Sequence, residues 1–195
     1  MRGLLAASLV ASVLVLGGCA ANDPLAEVAN DSNFTSADGT VTEVAPANRG
    51  EAVSFESSDT SDGSTIRAED YLGSVLVVNF WYAACPPCRL EAPDLADLAT
   101  VYADKGVRFL GVNVYDNAAG ANSFENAFDI PYPSVLDADT GELRLAFASD
   151  LPPSGVPTTI IVDRDGRVAA RVLGYIADRS MFEDMLDTVV AEAAP

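Results

Sequence analysis

The stretch NFWYAACPPCRLEAP, residues 79–93, decides the fold of this chain because it places a Cys-x-x-Cys pair between a strand pattern and a helix pattern. The aliphatic run before it, within residues 74–80, is typical of a strand that is buried on both faces. The apolar residues after it follow a helical spacing: Leu90, Leu95, Leu98 and Tyr102. We therefore expect Cys85 and Cys88 at the N-terminal end of a helix that follows a buried strand.

This position of the cysteines favours thiol chemistry. The first turn of a helix has unpaired N–H groups and carries the positive end of the helix dipole, so it stabilises a thiolate. We interpret Cys85 as the attacking nucleophile and Cys88, one turn later and more buried, as the resolving thiol. A disulfide between residues so close in sequence stabilises a fold little, because it closes a very short loop. The pair is predicted to be redox-active.

The rest of the composition argues against a zinc site. The chain has three cysteines and no histidine, so the pair cannot be completed to four ligands of the usual zinc types. We expect no metal and no cofactor. A purely structural disulfide remains the alternative to a redox-active one.

A wider motif, Trp81-x-x-x-Cys85-x-x-Cys88 followed by Pro93, resembles the active site of the thioredoxin fold. The sequences VNFW at residues 78–81 and CPPC at residues 85–88, with Glu91 after them, are more similar to those of the membrane-tethered thiol-disulfide oxidoreductases of the TlpA/ResA type. The resemblance covers residues 51–195. It implies an α/β, thioredoxin-like fold, in which helices flank a central mixed β-sheet. It also implies an N-terminal hairpin before the active-site strand and a βα insertion after the active-site helix.

The resemblance also implies roles for the residues around the cysteines. Trp81, Pro86 and Pro87 would support the active site. Asn79 stands where thioredoxin has a buried aspartate, so a proton acceptor is missing there. Glu91 is the nearest replacement, and in the resembled family a glutamate at this place tunes the cysteines. A solvated helix glutamate is the alternative.

A second motif, SGVPTT at residues 154–159, carries the resemblance further along the chain. In the thioredoxin family a proline here is cis and faces the cysteine pair, and the residue before it binds the backbone of the substrate. These substrate-binding roles transfer to Pro157 and Val156. A trans proline at the start of an edge strand is the alternative.

The N-terminus indicates export and anchoring. An apolar run at residues 4–16 is too short to span a bilayer and is typical of a signal-peptide core. It ends in LGGC, which resembles the lipobox of bacterial lipoproteins and implies a signal peptide over residues 1–18 with a lipid anchor on Cys19. An ordinary secretory signal is the alternative. Residues 19–50 are polar and poor in aromatics, which predicts a flexible tether.

Charge and composition exclude several classes of function. The formal net charge of −18, with 29 acidic residues, argues against nucleic-acid binding and against adhesion to anionic lipid. The lack of histidine excludes histidine-based catalytic triads. A peroxiredoxin would have a threonine three residues before its reactive cysteine, where this chain has Tyr82. A copper protein of the Sco type would have a wider cysteine spacing and a histidine.

The direction of electron flow is predicted from the residues between the cysteines. Pro86 and Pro87 have no N–H, so they offer the thiolate fewer donors and make the pair less oxidising. We therefore expect a monomeric reductase of protein disulfides on the extracytoplasmic face of the cell membrane, for example in cytochrome c maturation. Its partners would be a membrane thiol donor and disulfide-bearing extracytoplasmic proteins. A disulfide-forming oxidant, a thiol peroxidase and a redox-inert lipoprotein that binds other molecules remain alternatives.

Overall fold

A computed structural model of the chain describes residues 32–60, 63–149 and 155–192. The strands are β1 (Phe34–Thr35), β2 (Val41–Glu43), β3 (Glu56–Ser57), β4 (Ile66–Arg67), β5 (Val75–Trp81), β6 (Val107–Asn113), β7 (Ser134–Leu136), β8 (Thr158–Val162) and β9 (Val168–Leu173). The α-helices are α1 (Pro86–Tyr102), α2 (Ala118–Ala127), α3 (Glu142–Ala146) and α4 (Arg179–Ala191). Short 3₁₀ turns cover Pro46–Asn48, Ala68–Tyr71 and Ala103–Lys105.

Seven strands form one mixed sheet in the order β1-β2-β9-β8-β5-β6-β7. Strands β5, β6 and β7 run parallel, whereas β8 is antiparallel to both β5 and β9. All seven residues of β5 are buried, because strands pair with it on both sides and side chains cover both faces. The predicted α/β fold with a central mixed sheet is therefore confirmed.

Side chains of β5 alternate between the two faces of the sheet and supply both halves of the core. Val75 and Val77 pack with residues of α1 and α4, such as Leu95 and Phe182. The intervening residues of β5 pack on the opposite face in a second cluster with α3: Leu76, Val78, Phe80, Leu110, Val112, Leu143 and Phe147. The sheet is thus covered on both faces, as its unbroken apolar strands require.

The N-terminal hairpin precedes β5, as expected. Strands β3 and β4 pair antiparallel, with Glu56 opposite Arg67 and Ser57 opposite Ile66. Phe55, just before β3, inserts its side chain into the second core cluster. The predicted βα insertion is also present, as helix α2 and strand β7 follow β6.

The predicted tether over residues 19–50 is wrong for the part that the structure describes, residues 32–50. In this part β2 pairs antiparallel with β9, with Thr42 opposite Arg171, and β1 pairs with β2. Backbone hydrogen bonds to the free edge of β9 order this polar segment, which has little apolar surface of its own. The predicted signal peptide, Cys19 and the first part of the tether lie outside the described residues.

Arg49 fastens this N-terminal segment to the rest of the domain. Its side chain is 3% exposed and pairs with Asp163 at 2.9 Å and with Glu192 at 2.6 Å. Its Nε–H also donates to the carbonyl oxygen of Val44 at 3.0 Å. The Asp163 carboxylate has a second partner in Arg167 at 3.2 Å. Removing Arg49 would therefore leave a buried carboxylate with one cation instead of two.

We expect Arg49→Met to lower the free energy of unfolding by about 2 kcal/mol, because it breaks a buried, hydrogen-bonded ion pair. Equilibrium unfolding in urea measures this loss. The control is Arg67→Met, since Arg67 and its partner Glu56 are 44% and 62% exposed and such pairs contribute less than about 1 kcal/mol. Equal losses in the two variants would contradict the structural role of Arg49.

Candidate active site

The two cysteines lie where the chain leaves β5 and enters α1. They are joined by a disulfide with a Cα–Cα distance of 5.3 Å. Cys85 is the N-cap residue of α1, and its sulfur accepts a hydrogen bond from the amide of Cys88 at 3.2 Å. The backbone amide of Cys85 donates to the carbonyl of Tyr82 at 3.1 Å. The predicted placement at a strand-to-helix junction is confirmed.

The disulfide is shielded from solvent. Cys85 is 1% exposed and Cys88 is 2% exposed, so the expectation that Cys88 is the more buried of the two is wrong. Cys85 is as buried as Cys88 because both belong to one packed cluster, to which several elements contribute side chains: Trp81, Tyr82, Ala83, Ala92, Ala121, Phe124, Leu136 and Val156. Sequence periodicity along α1 predicts the inward face of Cys88 but cannot show the cover over Cys85.

Pro86 and Pro87 occupy the first turn of α1, as the motif predicts. Proline fits this position because its fixed backbone angle suits a helix start and its missing N–H needs no partner. The amide of Cys88 is then the first in the helix that can reach the Cys85 sulfur. The helix thus offers the sulfur fewer donors than one without prolines.

Trp81 ends β5 and holds the insertion against the disulfide. Its indole stacks on the ring of Phe124 in α2, with centroids 4.2 Å apart. A side chain at Gly111 would disturb this packing, because a Cβ there would lie 2.9 Å from Trp81 Nε1 and would overlap Ser134 Oγ. Gly111 was not predicted as a site residue, since a glycine inside a strand indicates a close approach but does not identify the group that approaches.

Glu91 is buried beside Asn79. It is 1% exposed, so the alternative of a solvated helix glutamate is wrong. Its Oε1 accepts from the side-chain amide of Asn79 at 2.9 Å, and its Oε2 accepts from the backbone amide of Ile176 at 3.2 Å. The Asn79 amide also donates to Thr159 Oγ1 at 3.0 Å. The structure therefore brings the two predicted residues together.

Burial raises the pKa of Glu91 to about 7, and the hydrogen bonds from Ile176 and Asn79 limit the rise. Desolvation penalises the charged carboxylate, whereas donors aimed at it favour that form. A carboxyl group with this pKa accepts and releases protons near neutral pH. It lies one helical turn beyond Cys88, on the face of α1 that points into the protein.

The second predicted motif lies beside the disulfide. The Val156–Pro157 peptide bond is cis, as the resemblance implies. Val156 packs against the cluster that contains both cysteines. The carbonyl of Pro157 accepts from the amide of Gly174 at 2.8 Å, so the neighbouring loop fixes this segment.

Asp116, three residues after the end of β6, contacts the active-site loop, and Asn113, the last residue of β6, donates a hydrogen bond to Asp116. Neither residue was predicted. The Asp116 carboxylate accepts from the backbone amide of Ala83 at 2.6 Å. An Asn-x-x-Asp sequence that begins at the last residue of a strand is a local signal for such a turn. Only the structure shows which backbone it binds.

In residues 32–60, 63–149 and 155–192, no group of three or more His, Cys, Asp or Glu side chains could hold a metal ion. No helix within these ranges is long and apolar enough to cross a bilayer.

Comparison with known proteins gives consistent results. The sequence model of the Redoxin family matches residues 20–187. The thiol-disulfide oxidoreductase ResA of Bacillus subtilis is 30% identical over 139 residues, which cover 71% of this chain and 74% of ResA.

Solved structures show the same fold. A secreted thiol-disulfide isomerase from Corynebacterium glutamicum superimposes with a TM-score of 0.72 and 28% identity, over 83% of this chain and 98% of the isomerase. A DsbF homologue from Corynebacterium diphtheriae gives a TM-score of 0.68 and 26% identity, over 80% of this chain and 98% of the homologue. The chain therefore belongs to the Redoxin family and is a ResA-like thiol-disulfide oxidoreductase with a thioredoxin-like fold.

Proposed function

We propose that this protein is a membrane-tethered reductase of protein disulfides that works outside the cytoplasm. The observation that carries the proposal is the Cys85–Cys88 disulfide at the N-terminus of α1, with the buried carboxyl of Glu91 one turn further along. A structural disulfide in this position would need no buried titratable group beside it. A redox pair does, because its thiols gain and lose protons during each cycle.

The proposed reaction is a two-step thiol-disulfide exchange. The Cys85 thiolate attacks one sulfur of the substrate disulfide, which forms a mixed disulfide and releases one substrate thiolate. The Cys88 thiolate then attacks the Cys85 sulfur, closes the Cys85–Cys88 disulfide and releases the second substrate thiolate. Two electrons pass from the dithiol to the substrate, and the released thiolates take up protons. A thiol donor at the membrane restores the dithiol.

Glu91 is proposed to take the proton of Cys88 and so prepare it for the second step. A pKa of about 7 suits this role, because the group is partly deprotonated at neutral pH. Asn79 supports it, since its amide donates to Glu91 Oε1 and holds the carboxyl in place.

The reducing direction is supported by the surroundings of Cys85. Two prolines remove amide donors from the helix start, and apolar side chains cover the sulfur. Both features disfavour a thiolate in the reduced protein. A less stabilised thiolate makes the reduced form less stable relative to the disulfide. The disulfide is then a weaker oxidant, and the dithiol is a better reductant.

Location and partners are part of the proposal. A lipid on Cys19 would hold the domain at the extracytoplasmic face of the cell membrane, and the substrate-binding segment would include Val156 and Pro157. Disulfide-bearing extracytoplasmic proteins, among them apocytochrome c, are the proposed substrates. The C. glutamicum relative is a secreted thiol-disulfide isomerase, which supports the location outside the cytoplasm.

Three measurements test the proposal and its direction. We expect the purified protein to reduce insulin with dithiothreitol as the electron source, and its equilibrium with glutathione to give a potential well below the roughly −120 mV of DsbA. In growing bacteria, acid quenching and alkylation should find the cysteine pair mostly as dithiol. A potential near that of DsbA, or a pair found mostly as disulfide in cells, would indicate an oxidant. Failure to cycle between dithiol and disulfide would indicate a redox-inert protein.

A further inference from the structure

The active-site loop follows β5 and is held in place by contacts with the end of the neighbouring strand, β6. Strands β5 and β6 are parallel neighbours, with Trp81 opposite Asn113, so both strands end at the same edge of the sheet. The amide of Val114 donates to the carbonyl of Trp81 at 3.0 Å. Beyond these two strand ends lie the loop that leads to Cys85 and the turn that ends in Asp116.

One carboxylate oxygen, Asp116 Oδ2, connects this turn to the loop. It accepts from the backbone amide of Ala83 at 2.6 Å and from the side-chain amide of Asn113 at 2.8 Å. Asn113 is fully buried, and its Oδ1 accepts from the amides of Tyr115 and Asp116 at 3.1 and 2.7 Å. Asn113 thereby fixes the carboxylate in the orientation that reaches the loop.

The same peptide segment is bound from its other side. The carbonyl of Ala83 accepts from Arg89 Nη1 in α1 at 3.3 Å. The Arg89 guanidinium lies 4.9 Å from the ring centroid of Phe128, next to α2. Ala83 therefore has a carboxylate on its N–H and a guanidinium on its carbonyl, and it lies two residues before the nucleophile.

We propose that Asp116 is a positioning residue for Cys85, in addition to the site residues already described. It acts through the peptide of Ala83, which its carboxylate holds so that Cys85 enters the first turn of α1 in a fixed place. The Ala83 amide that it binds lies two residues before Cys85, and from this position its negative charge disfavours the thiolate in the reduced protein. This inference rests on the proposed function, because a fixed position of Cys85 and a disfavoured thiolate both suit a protein that reduces disulfides.

The two effects are separable by substitution. Asp116→Asn keeps an oxygen that accepts from the Ala83 amide but removes the charge, whereas Asp116→Ala removes both. Asp104→Asn is the control, because Asp104 is an exposed carboxylate beyond the end of α1 and its loss changes the net charge equally.

The first readout is the rate at which iodoacetamide alkylates Cys85 in the reduced full-length protein, followed by peptide mass spectrometry across pH 5 to 10. We expect the pH midpoint to move down in Asp116→Asn, and the rate at pH 7 to rise about threefold, because a nearby negative charge is lost. The second readout is insulin reduction. We expect Asp116→Ala to lower kcat/KM about tenfold through misplacement of Cys85, while Asp116→Asn stays within about threefold of the wild type.

The inference is overturned if both Asp116 variants match Asp104→Asn in the alkylation midpoint and in kcat/KM. If Asp116→Ala shows no folding transition in a thermal melt, the test is the pH midpoint of Cys85 alkylation in Asp116→Asn. An unchanged alkylation midpoint in that variant overturns the inference. The alkylation assay does not depend on reductase activity. A wild-type protein that leaves insulin intact would therefore overturn the proposed function separately.

Discussion

Replacing Cys88 with serine is expected to stop insulin turnover and to leave Cys85 joined to the substrate in a mixed disulfide. The first attack needs only Cys85, but the release step needs a second thiolate within reach of its sulfur, and the two cysteines already bond directly. We expect turnover to fall by at least about 10³-fold, as for other variants that lose a member of the reacting pair. Insulin precipitation measures turnover, and non-reducing electrophoresis detects the mixed disulfide.

Cys85→Ser should lose turnover equally but should form no mixed disulfide, because the attacking sulfur is gone. Cys19→Ser is the matched control, since it removes the remaining cysteine of the chain and should leave insulin reduction in detergent solution unchanged. A mixed disulfide in Cys85→Ser, and none in Cys88→Ser, would reverse the assigned roles. Turnover by either variant at the wild-type rate would refute the two-cysteine mechanism.

The centre of the fold and its redox pair were predictable because their signals are local. The apolar block of β5, the helical spacing of α1 and the Cys-x-x-Cys pair lie within one continuous stretch. The cis proline was expected from a motif directly before β8. In each case the residues that determine the feature are neighbours in sequence, so a pattern along the chain contains the necessary information.

The role of residues 32–50 was not predictable in the same way. Strands β1 and β2 are two and three residues long and show no sustained alternation. They are ordered by the edge of β9 and by Arg49, whose partners Asp163 and Glu192 lie 114 and 143 positions away. A polar composition describes the segment correctly, but it does not show that distant charges and a free strand edge bind it.

Contacts around the disulfide could not be predicted either, because they also join residues that are distant in sequence. The cover over Cys85 comes partly from α2 and from Val156, and the contact of Asp116 with Ala83 joins residues 33 positions apart. Parallel strands bring such turns together only once their register is known. The missed residues are therefore those that support the site from neighbouring strands, rather than those that react.

Glu91 makes the stability of the protein depend on pH. Its pKa is about 7 in the folded protein, against an ordinary value of 4.5 for the unfolded chain. Between these two values the unfolded chain has released the proton and the folded protein still holds it, so stability falls as the pH rises. Below the lower value there is no cost, and above the upper value the full cost of about 3 kcal/mol is present.

We expect Glu91→Gln to remove this dependence. Between pH 4.5 and pH 8 the wild-type protein should lose about 3 kcal/mol of unfolding free energy relative to Glu91→Gln, because the other carboxylates are common to both and cancel. Urea unfolding of the oxidised proteins at a series of pH values measures the difference. A uniform offset between the two proteins would reflect the changed hydrogen bond to Ile176, whereas the slope with pH reports the buried charge.

Glu142→Gln is the matched control, since it removes one carboxylate from an exposed position in α3. If Glu91→Gln and Glu142→Gln follow the same stability curve with pH, Glu91 does not hold its proton in the folded state. In that case Glu91 could not serve as the acceptor for Cys88 near neutral pH. If only Glu91→Gln flattens the curve, the group that limits stability above pH 7 is the same one that is available to take the Cys88 proton.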